Sequence, residues 1–215
     1  MTRCFLFAMD EESKDTIKDF GFKLVTSIPF KLYKNENDFL MITTIGTMNA
    51  AASVMWVNEN YNIDEYYNLG LVGSTGKKSD VLDVVVIDKV YIANVDATGF
   101  GYKLGQVPRM PEFIQSDKVK FKNDFNSVDL CSSNIFINST ELFQNNMAII
   151  SKTISVFDME LAGIYSTLHK LDKPKYSFKV VSDTLSKNDN ELQFEEILVE
   201  GSKKLSEVVK QIVSG

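Results

Sequence analysis

The chain has 215 residues, of which 44% are hydrophobic, and this is enough for one globular domain with a buried core. Its net charge of −6 and isoelectric point near 4.9 argue against a nucleic-acid partner, because binding phosphates requires a basic surface. No apolar run approaches the roughly 20 residues that cross a bilayer, and acidic residues follow the first apolar run before a signal peptide could develop. We therefore expect a cytoplasmic protein without a membrane partner.

The cysteine and histidine contents limit the chemistry. Cys4 and Cys131 lie in apolar strand-like runs without a C-x-x-C spacing, so we predict buried thiols that form neither a disulfide nor a metal site. The single histidine, His169, lies near the end of a predicted helix, where a cation favours the helix dipole. A Ser-His-Asp or Cys-His mechanism would have no other histidine as base. Any catalysis would therefore use carboxylates, and no metal or organic cofactor is implied.

Strand-like and helix-like patterns alternate along the chain. A continuous apolar run at residues 3–8 predicts the first strand, and a helical stretch follows it and ends at Gly21, a natural C-cap. The remaining predicted elements are strands at 30–34 and 39–45, a small-residue helix at 48–58, strands at 66–72 and 83–92, a strand from 128, a short helix after Ser139, a strand at 153–157, a helix from 158, a strand at 176–182 and a closing helix. Residues 93–111 show no sustained periodicity, which indicates a functional segment or an interface. This order predicts a single α/β domain over residues 1–215, with a central, mostly parallel, twisted mixed sheet flanked by helices.

Three acidic residues closely follow predicted strands: Glu12, Glu160 and Asp183. In a parallel sheet the carboxyl ends of the strands share one edge, where open α/β folds bind their ligands. We therefore predict that the three carboxylates converge in one site, although each alone could equally be a helix-starting acid or a solvated loop charge. One carboxylate can activate water, a second can protonate a leaving group and a third can hold sugar hydroxyls. Hydrolysis of a glycosidic bond needs this division of labour.

Motifs along the whole chain resemble those of one known family. Residues 8–12 read Ala-Met-Asp-Glu-Glu, residues 45–46 place Ile-Gly before an alanine-rich helix, and residues 96–111 match a pattern of Asp-x-Thr-x-Phe-Gly-Tyr followed by Gly-Gln-x-Pro-x-x-Pro. Phe-Ile-Asn at 136–138, Met-Glu at 159–160 and Ser-Asp at 182–183 follow in the same order. In these motifs the chain is similar to the 5′-methylthioadenosine/S-adenosylhomocysteine nucleosidases of the nucleoside phosphorylase superfamily, whose fold it would share.

The resemblance implies a reaction and roles for the acids. The reaction would be hydrolysis of the N-glycosidic bond of 5′-methylthioadenosine and S-adenosylhomocysteine to adenine and the corresponding thioribose, with water as nucleophile. Glu12 would act as base on the water, and Asp183, oriented by Ser182, would protonate a ring nitrogen of the departing adenine. Glu160 would bind the ribose hydroxyls, with Met159 against the sugar. Asp183 must be protonated when it acts, which requires the raised pKa that burial can supply.

Further positions would bind the nucleoside according to the same resemblance. Phe136 would stack on adenine while the backbone of Ile137 reads its edge, and Phe194 would help to form the pocket for the 5′-alkylthio group. Phe100, in the aperiodic segment, would reach the pocket of a neighbouring subunit, so a homodimer is expected. By composition alone, Phe136 and Phe194 could equally fill the core. The other expected substrate-binding residues are Ile45 and Gly73.

Several positions depart from the family pattern, and three of them concern the site. Leu71 stands where the family usually has a serine near the sugar and the water. Asp158 replaces a usual glutamate, and Lys179 replaces a common arginine. These departures leave the three acids intact and concern substrate preference and turnover.

Two other functions compete with this interpretation. A purine nucleoside phosphorylase of the same fold would hold phosphate with arginines, because a guanidinium matches the phosphate oxygens, and the chain offers only Arg3 and Arg109. The turn at residues 73–76 could serve as an anion-binding nest, but a tight turn after a strand is the simpler interpretation. The second alternative is a nucleoside-binding protein that has lost catalysis, which Leu71 suggests and the retention of all three acids argues against.

Overall fold

The computed structural model describes the backbone of residues 1–185 and 190–215 and the side chains of residues 1–185 and 197–215. The strands are β1 (Arg3–Phe7), β2 (Lys23–Thr26), β3 (Leu32–Lys34), β4 (Phe39–Ile42), β5 (Glu65–Ser74), β6 (Val84–Ile92), β7 (Ile114–Gln115), β8 (Asn126–Ser132), β9 (Ile154–Asp158) and β10 (Lys175–Thr184). The helices are α1 (Asp10–Asp19), α2 (Thr47–Asn60), α3 (Thr140–Phe143), α4 (Leu161–Lys170) and α5 (Asn190–Ser214). A 3₁₀ turn at Thr98–Phe100 and a π turn at Gln144–Ala148 complete the elements of this part of the chain.

The strands form one mixed sheet that closes on itself. β5 pairs in parallel with β1 and β10, and β10 pairs antiparallel with β6. β8 runs parallel to both β6 and β9, and the end of β9 meets the end of β5 antiparallel, which completes a ring of strands. β4 pairs in parallel with the other side of β1, and β3 and β2 extend the sheet outward as antiparallel strands. The predicted fold class, an α/β domain with a mostly parallel mixed sheet flanked by helices, is confirmed.

The convergence of the acids has a different geometric origin from the predicted one. The sequence predicts a common open edge of parallel strands for Glu12, Glu160 and Asp183. This prediction is wrong for Glu160, because β9 meets β5 antiparallel, with Phe157 opposite Gly73. Only the last residues of these two strands pair, since the closed sheet brings β9 round to the carboxyl end of β5. The acids therefore meet through closure of the ring.

Helices cover both faces of the sheet. Alternate residues of β1 enter different apolar clusters, Leu6 with residues of α2 and α4, and Phe5 with residues of α1 and α5. The apolar residues of α4 pack inward, and Leu168 and Val209 are fully buried on the two sides. Each such aliphatic side chain contributes about 1.5–3 kcal/mol to folding through burial. Among the described residues, no helix is both long enough and apolar enough to cross a membrane.

Some local details match the sequence prediction and others do not. Cys4 and Cys131 are buried free thiols, and the Ser139 hydroxyl accepts a backbone hydrogen bond as the N-cap of α3, as predicted. The strands β2 and β7 are not predicted, because β2 is almost entirely exposed and lacks an apolar alternation, and β7 has only two residues. β5 continues through Ser74, so Gly73 lies inside a strand and the predicted turn starts later.

Candidate active site

A cavity of about 190 Å³ opens where β1, β5, β9 and β10 end. Most of the site residues predicted from the sequence line it, namely Glu12, Ile45, Gly73, Phe136, Ile137, Met159, Glu160, Ser182 and Asp183. Phe100 lies outside this wall and is 87% exposed. The side chain of Phe194 lies outside the described residues, so its place in the 5′ pocket stays a prediction. The structure thus brings the three acids to one cavity.

Glu12 is held by backbone groups in the first turn of α1. Its Oε2 accepts hydrogen bonds from the N–H groups of Ala8, at 3.0 Å, and Met9, at 3.2 Å. Its Oε1 accepts a hydrogen bond of 2.8 Å from the N–H of Leu71 on β5. Gly70 makes room for this contact, because a Cβ there would lie 3.1 Å from Glu12 Oε1. Burial raises the pKa of Glu12, and the Leu71 hydrogen bond is the largest opposing effect.

Glu160 lies between β9 and α4, which begins at Leu161 and not at residue 158 as predicted. Its Oε1 accepts a hydrogen bond of 3.1 Å from the N–H of Gly46, which precedes α2. Its Oε2 accepts one of 3.2 Å from the N–H of Met159. Burial, with the nearby Asp158 carboxylate, raises the pKa of Glu160 to about 7. Burial thus favours the neutral form of Glu160, whereas the charge of Lys179 and the hydrogen bond from Gly46 favour the carboxylate.

Asp183 belongs to the end of β10, where the strand is irregular. It pairs with Gly73, and the register with β5 shifts between Val181 and Asp183. This β-bulge leaves Ser182 without a ladder partner on β5 and redirects the side chains around it. Ser182 Oγ lies 2.6 Å from Asp183 Oδ1 and 3.1 Å from the Val72 carbonyl oxygen. Burial raises the pKa of Asp183, and the contact with Ser182 opposes part of that rise.

A buried ion pair adjoins the acids. Lys179 Nζ on β10 lies 3.0 Å from Asp158 Oδ2 at the end of β9, and the two side chains are only 3% and 1% exposed. The other Asp158 oxygen lies 2.5 Å from Ser132 Oγ. The positive charge of Lys179 lowers the pKa of both Glu12 and Glu160, against the effect of burial. Lys179 and Asp158, which both depart from the pattern of the resembled family, therefore form one contact.

The remaining wall of the cavity is largely apolar. Ile135 and Phe136 are 40% and 44% exposed at the mouth, whereas Ile137 is buried. Phe157 packs so closely on Gly73 that a Cβ there would lie 2.2 Å from its ring. Sequence reasoning missed Phe157, although its position as the last apolar residue of a strand before an acid could have indicated it. It also missed the peptide N–H groups that bind Glu12, for which the sequence carries no signal.

The arginines lie away from the cavity wall. Arg3 Nε lies 3.0 Å from Asp38 Oδ1 at the start of β1, and Arg109 belongs to the aperiodic segment. Neither residue lines the cavity. The turn after β5 uses its own polar groups, since the Gly76 N–H donates a hydrogen bond of 3.0 Å to Ser74 Oγ. This geometry favours the tight turn over the anion nest.

Sequence comparison places the chain in a known superfamily. The sequence profile described as "Phosphorylase superfamily" matches residues 28–214. A 5′-methylthioadenosine/S-adenosylhomocysteine nucleosidase from Staphylococcus haemolyticus (strain JCSC1435) is 30% identical over an alignment of 221 positions, which covers 96% of each chain. The chain belongs to the 5′-methylthioadenosine/S-adenosylhomocysteine nucleosidase family of that superfamily.

Solved structures show the same similarity. The nucleosidase from Neisseria meningitidis, in complex with methylthio-immucillin-A, matches with a TM-score of 0.87 and 28% identity over 99% of this chain and 98% of that one. The nucleosidase from Helicobacter pylori with butyl-thio-DADMe-Immucillin-A matches with a TM-score of 0.89 over 100% of this chain and 98% of that one. At 18% identity, the second match is a likeness in fold.

Proposed function

We propose that the protein hydrolyses the N-glycosidic bond of 5′-methylthioadenosine and S-adenosylhomocysteine, releasing adenine and the 5-alkylthioribose. The observation that carries this proposal is the convergence of Glu12, Glu160 and Asp183 in one cavity. The names of the relatives, and the methylthio-immucillin-A bound to the Neisseria meningitidis nucleosidase, support the nucleoside class of the substrate. The proposed chemistry uses carboxylates and water, without a metal or organic cofactor.

Glu12 is the proposed base. Backbone N–H groups fix both of its oxygens, so the carboxylate needs no reorganisation when a water molecule binds to it. Burial raises its pKa and makes it a stronger base toward water than an exposed glutamate. The water oxygen forms a bond to the anomeric carbon of the ribose as the bond to adenine breaks, and a proton of the water passes to Glu12.

Asp183 is the proposed acid, and its raised pKa favours the protonated form that this role requires. The Ser182 hydroxyl has one hydrogen and two acceptors within reach, the Val72 carbonyl and Asp183 Oδ1. While Asp183 carries its proton, the hydroxyl can donate to Val72. When that proton passes to a ring nitrogen of adenine, the hydroxyl can turn to the new carboxylate and stabilise it. Ser182 would thus favour the transfer of the proton from Asp183 to adenine.

The other wall residues are proposed to hold the two halves of the nucleoside. Glu160 would accept hydrogen bonds from the ribose hydroxyls, and Met159 would pack against the sugar. Phe136 would stack on adenine, with the backbone of Ile137 at its edge. Such positioning lowers the barrier because the sugar, the water and the leaving base are already aligned for the reaction.

The phosphorylase alternative and the silent binding protein are less well supported. A phosphorylase would need cationic groups around phosphate, but the two arginines lie away from the cavity and Lys179 is engaged with Asp158. A binding protein would not need both a buried base and a buried acid.

We further propose that the protein acts in the cytoplasm as a homodimer in which the exposed Phe100 enters the cavity of the neighbouring subunit.

The test is adenine release from 5′-methylthioadenosine in phosphate-free buffer. We expect the wild type to be active, and Glu12→Gln and Asp183→Asn each to lose about 10²–10⁴-fold in kcat, as for loss of a proton-transfer group. Glu11→Gln is the matched control, since Glu11 precedes the proposed base but is exposed and lies outside the cavity wall. Activity only in the presence of phosphate would support the phosphorylase, and nucleoside binding without turnover would support the binding protein.

A further inference from the structure

Asn134 connects two parts of the cavity that the chain places far apart. It lies two residues before Phe136, in the segment that follows β8 and forms one wall. Its Oδ1 accepts a hydrogen bond of 3.0 Å from the N–H of Thr47, the first residue of α2. The Thr47 hydroxyl lies 2.9 Å from Asn134 Nδ2 and 3.1 Å from Oδ1, so the two side chains are joined as well. The residue before Thr47 is Gly46, whose N–H binds Glu160.

The segment that enters α2 is strained and needs support from its surroundings. Thr44 has φ 60°, a left-handed conformation that is unfavourable for a β-branched residue, and Gly46 has φ 102°. Such conformations persist only where neighbouring groups fix them. On one side, the first turn of α4 presses on this segment, because a Cβ at Gly163 would lie 2.0 Å from the Thr47 carbonyl oxygen. Elsewhere the segment is held by Asn134, which binds Thr47, and by the Asn49 side chain, which donates a hydrogen bond of 2.8 Å to the Ile45 carbonyl oxygen.

The segment after β8, which carries Asn134, is anchored by contacts of Ser133 that do not involve Asn134. The Ser133 N–H donates a hydrogen bond of 3.0 Å to the Asp158 carbonyl oxygen, which ties the segment after β8 to the end of β9. Ser133 Oγ accepts hydrogen bonds from Asn94 Nδ2, at 3.0 Å, and from the Ile135 N–H, at 2.9 Å. The wall that carries Phe136 is therefore held without Asn134, whereas at the start of α2 Asn134 binds both the backbone N–H and the side chain of Thr47.

We propose that Asn134 is a positioning residue that fixes the start of α2, so that the Gly46 N–H holds the ribose-binding carboxylate of Glu160 in place. The proposal rests on the proposed function, in which Glu160 binds ribose and the wall around Phe136 binds adenine. Loss of Asn134 should then weaken recognition of the sugar and leave recognition of free adenine unchanged. The Asn134 side chain accepts a hydrogen bond from the backbone through Oδ1. An aspartate can also accept this hydrogen bond and should keep the function of Asn134, whereas an alanine cannot accept it and should not.

The experiment compares Asn134→Ala and Asn134→Asp with the wild type. For Asn134→Ala we expect kcat/KM for 5′-methylthioadenosine to fall about tenfold, in keeping with loss of a positioning hydrogen bond, while the Kd for adenine stays the same. Asn134→Asp should recover most of the loss. In a Glu160→Gln background, Asn134→Ala should lower kcat/KM much less than it does in the wild type, because the two residues act through one contact. Asn35→Ala is the matched control, since Asn35 also accepts backbone hydrogen bonds, in the turn before β4 and away from the cavity.

A second readout does not depend on activity. The hydrogen bond from the Gly46 N–H lowers the pKa of Glu160. If Asn134→Ala weakens this hydrogen bond, the pKa of Glu160 measured by carboxyl NMR should rise. An unchanged Glu160 pKa, or equal losses for adenine and nucleoside, would overturn the proposal. If Asn134→Ala does not fold, Asn134→Ser serves instead, because its shorter side chain cannot reach Thr47 N. Absence of adenine release by the wild type would count against the proposed function alone, since the NMR titration would still decide the role of Asn134.

Discussion

Replacement of Lys179 by methionine removes the positive charge of a buried pair and keeps most of the side-chain volume. Lys179 Nζ and Asp158 Oδ2 are 3.0 Å apart, and neither side chain has more than 3% of its surface exposed. Removal of one partner from such a pair costs about 3–5 kcal/mol, because the other charge remains buried without compensation. Asp158 keeps its contacts with Ser132 Oγ and the N–H of Leu161, so we expect a loss near the lower limit, about 3 kcal/mol.

The same substitution should change the pH dependence of the reaction. The charge of Lys179 lowers the pKa of Glu12 and Glu160, so both values should rise when the charge is removed. The proposed base acts in its ionised form. A higher pKa therefore moves the acidic limb of the kcat/KM profile toward higher pH.

Urea unfolding at neutral pH measures the stability effect, and adenine release across a pH series measures the catalytic one. Lys179→Arg is the matched control, since it keeps the charge and should keep the acidic limb in place. The double variant Lys179→Met with Asp158→Asn removes both charges and should recover much of the lost stability. A destabilisation below about 1 kcal/mol, the value of an exposed pair, would refute the reasoning, as would an acidic limb that does not move in Lys179→Met.

Three further predictions concern the cavity. The pKa of Glu160 is raised from 4.5 to about 7, so the folded protein binds a proton at this residue more tightly than the unfolded chain does. The stability that protonated Glu160 contributes is therefore fully present below pH 4.5 and is lost as the pH rises through 7. Urea unfolding should show a steeper decline across this window for the wild type than for Glu160→Gln, by on the order of 1–3 kcal/mol, and equal slopes would contradict this. Gly73→Ala should cost about 1–3 kcal/mol in thermal unfolding and raise KM, because its Cβ would lie 2.2 Å from the Phe157 ring and force that ring into the cavity. Phe100→Ala should raise KM for the nucleoside without lowering the unfolding temperature of the subunit, since the ring is 87% exposed in a single chain; an unchanged KM would argue against its proposed role.

The features that the sequence predicts well are those set by neighbouring residues. An apolar run followed by acids predicts β1, the start of α1 and the place of Glu12 in the first turn of that helix. Gly21 ends that helix region with φ +64°, a conformation that glycine adopts at low cost. Ser139 caps α3 through its own side chain. In each case the physical cause lies within a few residues of its effect.

The features that the sequence does not predict depend on residues far apart in the chain. The closure of β5 on β9 is decided by the whole sheet, and no local pattern encodes it. The bulge at Ser182 adds one residue to a strand whose apolar pattern looks regular. Lys179 and Asp158 are each visible as departures from a family pattern, but only the fold shows that they contact each other.

The hydrogen bonds to Glu12 also bear on how this site tolerates mutation. Its donors are peptide N–H groups of residues 8, 9 and 71, which every amino acid except proline supplies. Side chains at these positions can therefore diverge while the carboxylate keeps its orientation, and Leu71 is one such case. Variants selected for new nucleosides should accumulate changes at these wall positions, because there the shape of the cavity can change without loss of the groups that fix its reactive carboxylate.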